Sequence, residues 1–367
     1  MKKKEQVSAR QFTILVALYT VGDAILYLPA HFAVDAKRDA WIASIFSVLA
    51  MFAVVYFLTT LGKRYPGLTI IEYMEIILGK LFGKILLLYF ICFCFLDVTL
   101  LLMEVGDFLN SQIFPRTPLY VILFLFMSIV VLATNLGTEA AMRTSEIVFP
   151  FIVVLFLFMM IALTPQIDLK NIQPILANGI LPSIKASRIL VGFYLDALGL
   201  LMIFPLVQNP KDATKSFYIG TAIGGTFIIL ISTISILVLG VDTVLRHAYP
   251  AYKLAKKISI GNFLERIEII IAFIWLTSLY FKTYLFFMAT IHGFTKLFRL
   301  KSQKTIALPI ALVMVLIGRI IVPNRTFMDE WSFKHWLPYS IPFGLGIPMI
   351  LLLVDFIRQK RLNTQTK

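Results

Sequence analysis

Charge is scarce in this sequence. Only 15% of its residues are Asp, Glu, Lys or Arg, 59% are hydrophobic, and mean hydropathy is +0.87. A soluble domain has about 25% charged and about 45–50% apolar residues, so an ordinary water-soluble fold is excluded. Cysteine is almost absent. Cys92 and Cys94 lie two residues apart in one apolar run, so on a helix they point in different directions and cannot build a disulfide framework or a zinc cage. The four histidines, His31, His247, His292 and His335, sit near the ends of apolar runs or between them, far apart in sequence, which argues against a metal centre. There is no HExxH, no Walker loop and no dinucleotide-binding GxGxxG. Neither an enzyme nor a cofactor is expected, and any chemistry would have to take place within a membrane.

What the sequence does contain is a succession of apolar runs. Ten spans can be drawn, at 12–32, 40–61, 84–106, 118–137, 144–163, 186–207, 217–241, 264–294, 306–322 and 337–357, each long enough to cross ~30 Å of hydrocarbon. The expected fold class is an all-α integral membrane protein, one transmembrane domain over residues 1–367. The first run contains Asp23 and is followed by many similar runs, so a cleaved signal peptide is not expected.

The 34 basic residues outnumber 20 acidic ones, for a net charge of +14. In a soluble domain that excess would suggest nucleic acid; here the basic residues lie mostly between spans, as membrane anchors do. Lipid rather than nucleic acid is the expected surface partner. With Met1 in the cytoplasm, the 34 divide into 19 cytoplasmic, 14 external and Lys282 inside a span, so both termini are read as cytoplasmic. Residues 69–80 read as a short amphipathic helix on the cytoplasmic interface, and 245–262 as a similar external segment.

Spans one and six share an unusual pattern. Span one joins Gly22 and Asp23 to Pro29, and span six joins Asp196 and Gly199 to Pro205. Glycine and proline weaken helix interiors, and interrupted backbone at membrane depth survives only where it faces protein or a cavity. The two spans are five apart, so the halves have opposite orientation. This predicts a 5+5 inverted repeat with broken helices one and six, repeat one covering about 12–163, repeat two about 186–322, and span ten completing it. Interrupted helices in corresponding positions mark a binding site near the midplane. The alternative is that the prolines merely kink packed helices.

At 1.5 Å per residue, Asp23 lies roughly 16 Å into span one, Asp196 roughly 15 Å into span six and Asp97 about 20 Å into span three. Lys282 falls near the middle of span eight. Each charge costs about 2.5–3.5 kcal/mol at the centre of a spanning helix, so the four must pair, neutralise or face water. Lys282 is a candidate partner for Asp97 or Asp196, or an internal substitute for a coupling cation. Three carboxylates and one ammonium leave an excess of negative charge that a proton or a ligand amine would offset, while unwound backbone at the first break offers N–H groups to a carboxylate. The expected ligand pocket comprises Val21, Gly22, Asp23, Ala24 and Ile25 in the first break, Asp97, Asp196, Gly199 and Lys282, with Phe93, Phe193, Tyr194 and Tyr280 closing it. Glu104, on the Asp97 face of its helix, could line an outer vestibule or simply be interfacial. Glu265, Arg266 and Glu268 read as solvated, and Gly220 with Gly224 as a small-residue face for close helix approach.

The sequence resembles the membrane-embedded B subunits of endospore germinant receptors, relatives of the amino acid/polyamine/organocation permeases. The likeness rests on Gln11, Gly22-x-x-Ile25-Leu26-x-Leu28-Pro29, Asp39-Ala40-Trp41-Ile42, Tyr65-Pro66-Gly67-x-Thr69 with Glu72-Tyr73 and Gly79-Lys80, and the run from Gly261 to Glu268. It implies a LeuT-like permease fold, a small nutrient germinant such as an amino acid, an A subunit and a lipoprotein C subunit as partners, and a place in the spore inner membrane. Where that family's first break is rich in Gly, Ser or Thr, this chain has Asp23, which would repel a ligand carboxylate if ionised. Two functions follow: a nutrient-sensing receptor subunit, or a proton- or cation-coupled amino acid transporter using the same pocket.

Overall fold

The computed structural model describes residues 6–258 and 266–365, with side chains described as far as residue 358 at the C-terminal end. Every regular element named in it is helical; a lone parallel bridge pairs Val7 with Val207. Span one is made of α1 (Ala9–Val21) and α2 (Leu28–Ala36), separated by Gly22, Asp23, a 3-10 turn over Ala24–Leu26, and Tyr27. Ser8 and Gln11 form a capping box that starts α1, supplying partners to N–H groups the first turn cannot satisfy itself. Gly22 ends it at φ 26, a backbone conformation that L side chains avoid.

Among the described residues nine helical segments are long and apolar enough to cross a bilayer, one of them running Leu28–Arg64. That segment turns at Lys37 (φ 52) between α2 and α3 (Ala40–Arg64). With α1 too short to cross alone, α1 and α2 together make the first crossing and α3 the second, which gives the expected ten.

The remaining crossings follow in order. Helix α4 (Ile70–Gln112) bends at Gly79 (φ 78), so its first limb is the short helix expected near residues 69–80, opened by a Thr69–Glu72 capping box. Then come α5 (Leu119–Leu136), α6 (Thr138–Leu163) and α7 (Leu181–Tyr194), which continues as 3-10 helix over Leu195–Met202 and Phe204–Leu206. Helix α8 (Pro210–Arg246) bends at Gly240, and the short α9 (Pro250–Ala255) occupies the predicted external segment. Helices α10 (Glu268–Leu297) and α11 (Lys304–Ile321) complete spans eight and nine. Gly261 through Glu265, and the first residues predicted for span eight, lie outside the described residues.

Span ten departs from the sequence reading. It starts at Arg325 rather than 337 and runs as α12 (Arg325–Glu330), a π turn (Trp331–His335), α13 (Trp336–Ile341), a second π turn (Pro342–Gly346) and α14 (Ile347–Gln365). The polar stretch Asp329, Glu330, Lys334 and His335 hides this first part from a hydropathy window, although its backbone stays helical.

Spans one, two, six and seven form one bundle, with α1 against α8 and α3 against both α7 and α8. The α1–α8 approach depends on two glycines. A Cβ on Gly220 would lie 2.6 Å from the Thr13 carbonyl oxygen, and one on Gly224 would lie 2.5 Å from Thr20 Cβ. Backbones in lipid come this close where small residues leave room. Helices α4, α5, α10 and α11 pack as a second group, and α6 leans on α1 and α10. Leu125, Leu132, Ile161, Leu316 and Ile320 stay exposed on α5, α6 and α11, as faces turned to hydrocarbon do.

Candidate functional site

The two interrupted spans meet at Lys282, in the middle of α10. Its Nζ lies 3.1 Å from both carboxylate oxygens of Asp23 and 2.8 Å from Asp196 Oδ2. The ammonium thus joins the break of span one to that of span six. All three side chains are inside the protein, with relative exposures of 1%, 5% and 0% for Lys282, Asp23 and Asp196. Tyr19, one turn before Asp23 on α1, donates its hydroxyl to Asp196 Oδ1, and its ring lies 5.2 Å from the ammonium. Trp275 Nε1 donates to the Asp23 backbone carbonyl at 3.1 Å, giving a partner to one of the groups released by the interruption.

Gly22 is required here on two counts. Its φ is positive, and a Cβ would lie 2.6 Å from the Tyr19 carbonyl oxygen and 3.2 Å from Lys282 Cδ. The lysine stem crosses the break directly over it. The Gly22 N–H itself donates to Leu18 O at 2.8 Å, so it is not the free donor that the sequence suggested; Val21, Ala24 and Ile25 flank it as buried walls.

The interruption of span six differs from expectation. The α-helix ends at Tyr194, before Gly199, and the chain stays coiled as 3-10 helix instead of opening. Bonds from i to i+3 keep the backbone satisfied in an apolar setting. Gly199 makes room for the Phe286 ring, whose Cε1 would be 2.9 Å from an added Cβ.

Asp97 is the main departure in charge. It is buried, but Lys282 pairs with Asp23 and Asp196, and Asp97 Oδ2 has no hydrogen-bond partner. The connected cluster therefore carries a formal −1, one ammonium against two carboxylates, with Asp97 separate.

The aromatic residues divide. Tyr194 sits edge-on to Tyr19, ring centroids 6.2 Å apart, with its hydroxyl 2.5 Å from Thr221 Oγ1. Phe193 stacks on His31 and Trp336, and Phe93 on Phe343 at 3.7 Å, so both belong to an aromatic stack shared with span ten. Tyr280 does not join the site. Two residues from Lys282, it projects to nearly the opposite side of α10, half-buried against Phe281.

Two cavities flank the centre. On the face that carries the N-terminus, one of about 650 Å³ is lined by Met202, Ile203 and Leu206 of span six and by Tyr284, Met288 and His292 of α10. On the opposite face, one of about 10 Å³, the size of one water, is lined by Glu104, Asp107, Arg319 and Arg325. That face is tied shut. Tyr249 donates to Asp107 at 2.6 Å, and Arg325 lies 3.3 Å from Asp107, 2.8 Å from Asp329 and 2.7 Å from the Tyr249 hydroxyl.

Tyr19, Trp275, Tyr27 and Arg325 were missed from sequence. Tyr19 was findable, since a tyrosine four residues before Asp23 shares its helical face; Arg325 gave no signal in a loop of ordinary composition. Arg266, which pairs with Glu268 at 3.9 Å, is exposed as expected. Among the described residues no group of His, Cys, Asp and Glu has the geometry of a metal site.

A family model described as spore germination protein matches residues 6–326. Spore germination protein KB of Bacillus subtilis (strain 168) is 28% identical over 98% of this chain and 97% of its own length. Spore germination protein B2 of the same strain is 22% identical over 98% of each. Among solved structures, MhsT in complex with L-phenylalanine superposes with a TM-score of 0.69 at 14% identity, covering 96% of this chain and 99% of that one. MHP1, a nucleobase-cation-symport-1 family transporter with bromovinylhydantoin bound, gives 0.66 at 14% identity, covering 94% and 78%. At such identities the likeness establishes the fold, which is of the LeuT type.

Proposed function

The chain belongs to the spore germination protein family, and from that premise we propose that it is the permease-like B subunit of a spore germination receptor, binding a nutrient germinant between spans one, three, six and eight. The observation that carries this reading is the Asp23–Lys282–Asp196 cluster, which closes the junction of the two interrupted spans. A cluster with one negative charge in excess attracts an ammonium group, and the unpartnered Asp97 Oδ2 is a second acceptor nearby. An amino acid fits, its amine beside these carboxylates and its carboxylate on the unwound backbone after Gly22. Binding competes with Lys282 for Asp23 and Asp196, so occupancy shifts the balance between closed and open arrangements. Partner subunits, a larger A subunit and a lipoprotein C subunit, read that shift in the spore inner membrane, with both termini in the cytoplasm as the distribution of basic residues favours.

The cavity of about 650 Å³ on the N-terminal face favours a second reading, a transporter that releases its ligand to that side. Purified full-length protein separates the two. Thermal stabilisation across a panel of amino acids and sugars identifies the ligand class, and reconstitution into liposomes follows. Saturable binding without flux supports the receptor; accumulation driven by an ion gradient replaces it with the transporter.

A further inference from the structure

Glu104 lines a water-sized cavity and bonds to Tyr27, which belongs to the same break as Asp23. Its Oε1 accepts from Tyr27 at 3.2 Å, its Oε2 has no partner, and the residue is 6% exposed in the wall of the outer cavity. A carboxylate at that depth needs a cation or several donors to remain ionised. The cations facing it are occupied. Lys282 on α10 is bound to Asp23 and Asp196, and Arg325 on α12 to Asp107, Asp329 and Tyr249. Arg319 of α11 also lines the cavity but is exposed, where water solvates its charge. Of the other titratable groups on this side, Asp23 and Tyr27 from the first break, Asp97 and Asp107 on α4 itself and Tyr249 beside α9 add only negative charge or none, and His31 of α2 is buried against the rings of Tyr27, Phe193 and Phe333 with its Nδ1 unpartnered, where burial disfavours an imidazolium.

We propose that Glu104 is a proton-exchange site: it holds a proton in this closed arrangement and trades it with the outer face through the adjoining cavity. The step moves one proton. The Glu104 O–H bond breaks, the proton passes to a water in the cavity between Glu104, Asp107 and Arg319, and the carboxylate left behind faces Tyr27 and the central cluster. The negative charge so created offsets a positive one arriving in that cluster, so entry of a ligand ammonium promotes proton release. That last consequence rests on the reading of the cluster as a germinant site; the exchange site itself does not.

Infrared spectroscopy of the full-length protein in liposomes tests the site without any ligand. The difference between wild type and Glu104→Gln is expected to contain the carbonyl band of one protonated carboxyl, and that band is expected to shift promptly in D2O. A difference containing only carboxylate bands would show Glu104 ionised and overturn the proposal. So would a protonated band that fails to exchange over hours, which marks a sealed structural acid. If Glu104→Gln does not fold, Tyr27→Phe leaves Glu104 in place. Loss of the hydroxyl donor is then expected to raise the band's frequency, and an unchanged spectrum overturns the proposal. An equimolar mixture of the twenty amino acids, added to wild type, is expected to bleach the band. If the band is present and exchanging but not bleached, the proton site stands and the amino acid reading of the cluster fails.

Discussion

Replacing Lys282 with alanine removes the cation that binds both Asp23 and Asp196, two buried carboxylates. The Asp23 and Asp196 oxygens that it bridges, at 3.1 and 2.8 Å, are separated by no more than the sum of those distances, roughly 6 Å. At an effective dielectric constant of about 20, two unit charges roughly 6 Å apart repel by about 3 kcal/mol. Breaking a buried ion pair by deleting one partner generally costs about 3–5 kcal/mol, so the Coulomb figure alone reaches the lower end. The stem contributes too, since it packs over Gly22. Lys282→Ala should therefore lower the thermal unfolding midpoint of the purified protein by several degrees and weaken its ligand response. Lys304→Ala, at an exposed helix start, should stay within about 0.5 kcal/mol of wild type. Adding Asp196→Asn to a Lys282→Met variant should recover a large part of the loss, because one of the two repelling charges is gone. Equal, negligible effects of Lys282→Ala and Lys304→Ala would refute the reasoning, as would a double variant no more stable than the single.

Three further outcomes follow from the geometry. Gly22→Ala must fit a Cβ 2.6 Å from the Tyr19 carbonyl at φ 26; strain of this kind costs on the order of 1–3 kcal/mol, and thermal unfolding should fall accordingly. Arg325→Ala loosens the ties among α4, α9 and span ten, so a cysteine placed at Met103 in the wall of the small cavity should react faster with a hydrophilic thiol reagent than in the intact background; unchanged labelling would mean this face is closed by something else. Outside the membrane, burial and the hydrogen bond to Asp355 push the Tyr65 phenol up to about 12. With the proton held more tightly in the folded state, this contribution is complete below the ordinary value of about 10 and is lost as pH rises through about 12. The phenolate absorbance difference between wild type and Tyr65→Phe should show that late titration, and Asp355→Asn should bring it earlier.

Length and number of the spans were legible because a lipid environment imposes them. A crossing needs an apolar run of near-fixed length, so the first nine drawn spans fall inside or beside the observed helices, with ends that differ by up to about seven residues, as at the start of α8. The tenth was misjudged at its start, since helical backbone continues through Asp329 and Lys334 and polar residues at a membrane edge do not end a helix. The first break was also legible: Gly22 and Pro29 both weaken a helix interior, and the chain leaves the α-helix at Gly22 and re-enters it with Pro29 in the first turn of α2. In span six, glycine and proline pointed to the right span but not to its winding, because 3-10 coiling is a tertiary accommodation that lets Phe286 pack at Gly199.

The sequence by itself led to the expectation that Asp23, Asp97, Asp196 and Lys282 lie at similar depths, because rise per residue converts position into height. It could not determine which of them touch. Height says nothing about azimuth, and only the packing of α1, α10 and the coiled end of α7 turned Asp23 and Asp196 toward Lys282 while leaving Asp97 apart and Tyr280 facing away. In lipid the depth of a residue is written along the chain; its neighbours are chosen by how the helices rotate against one another.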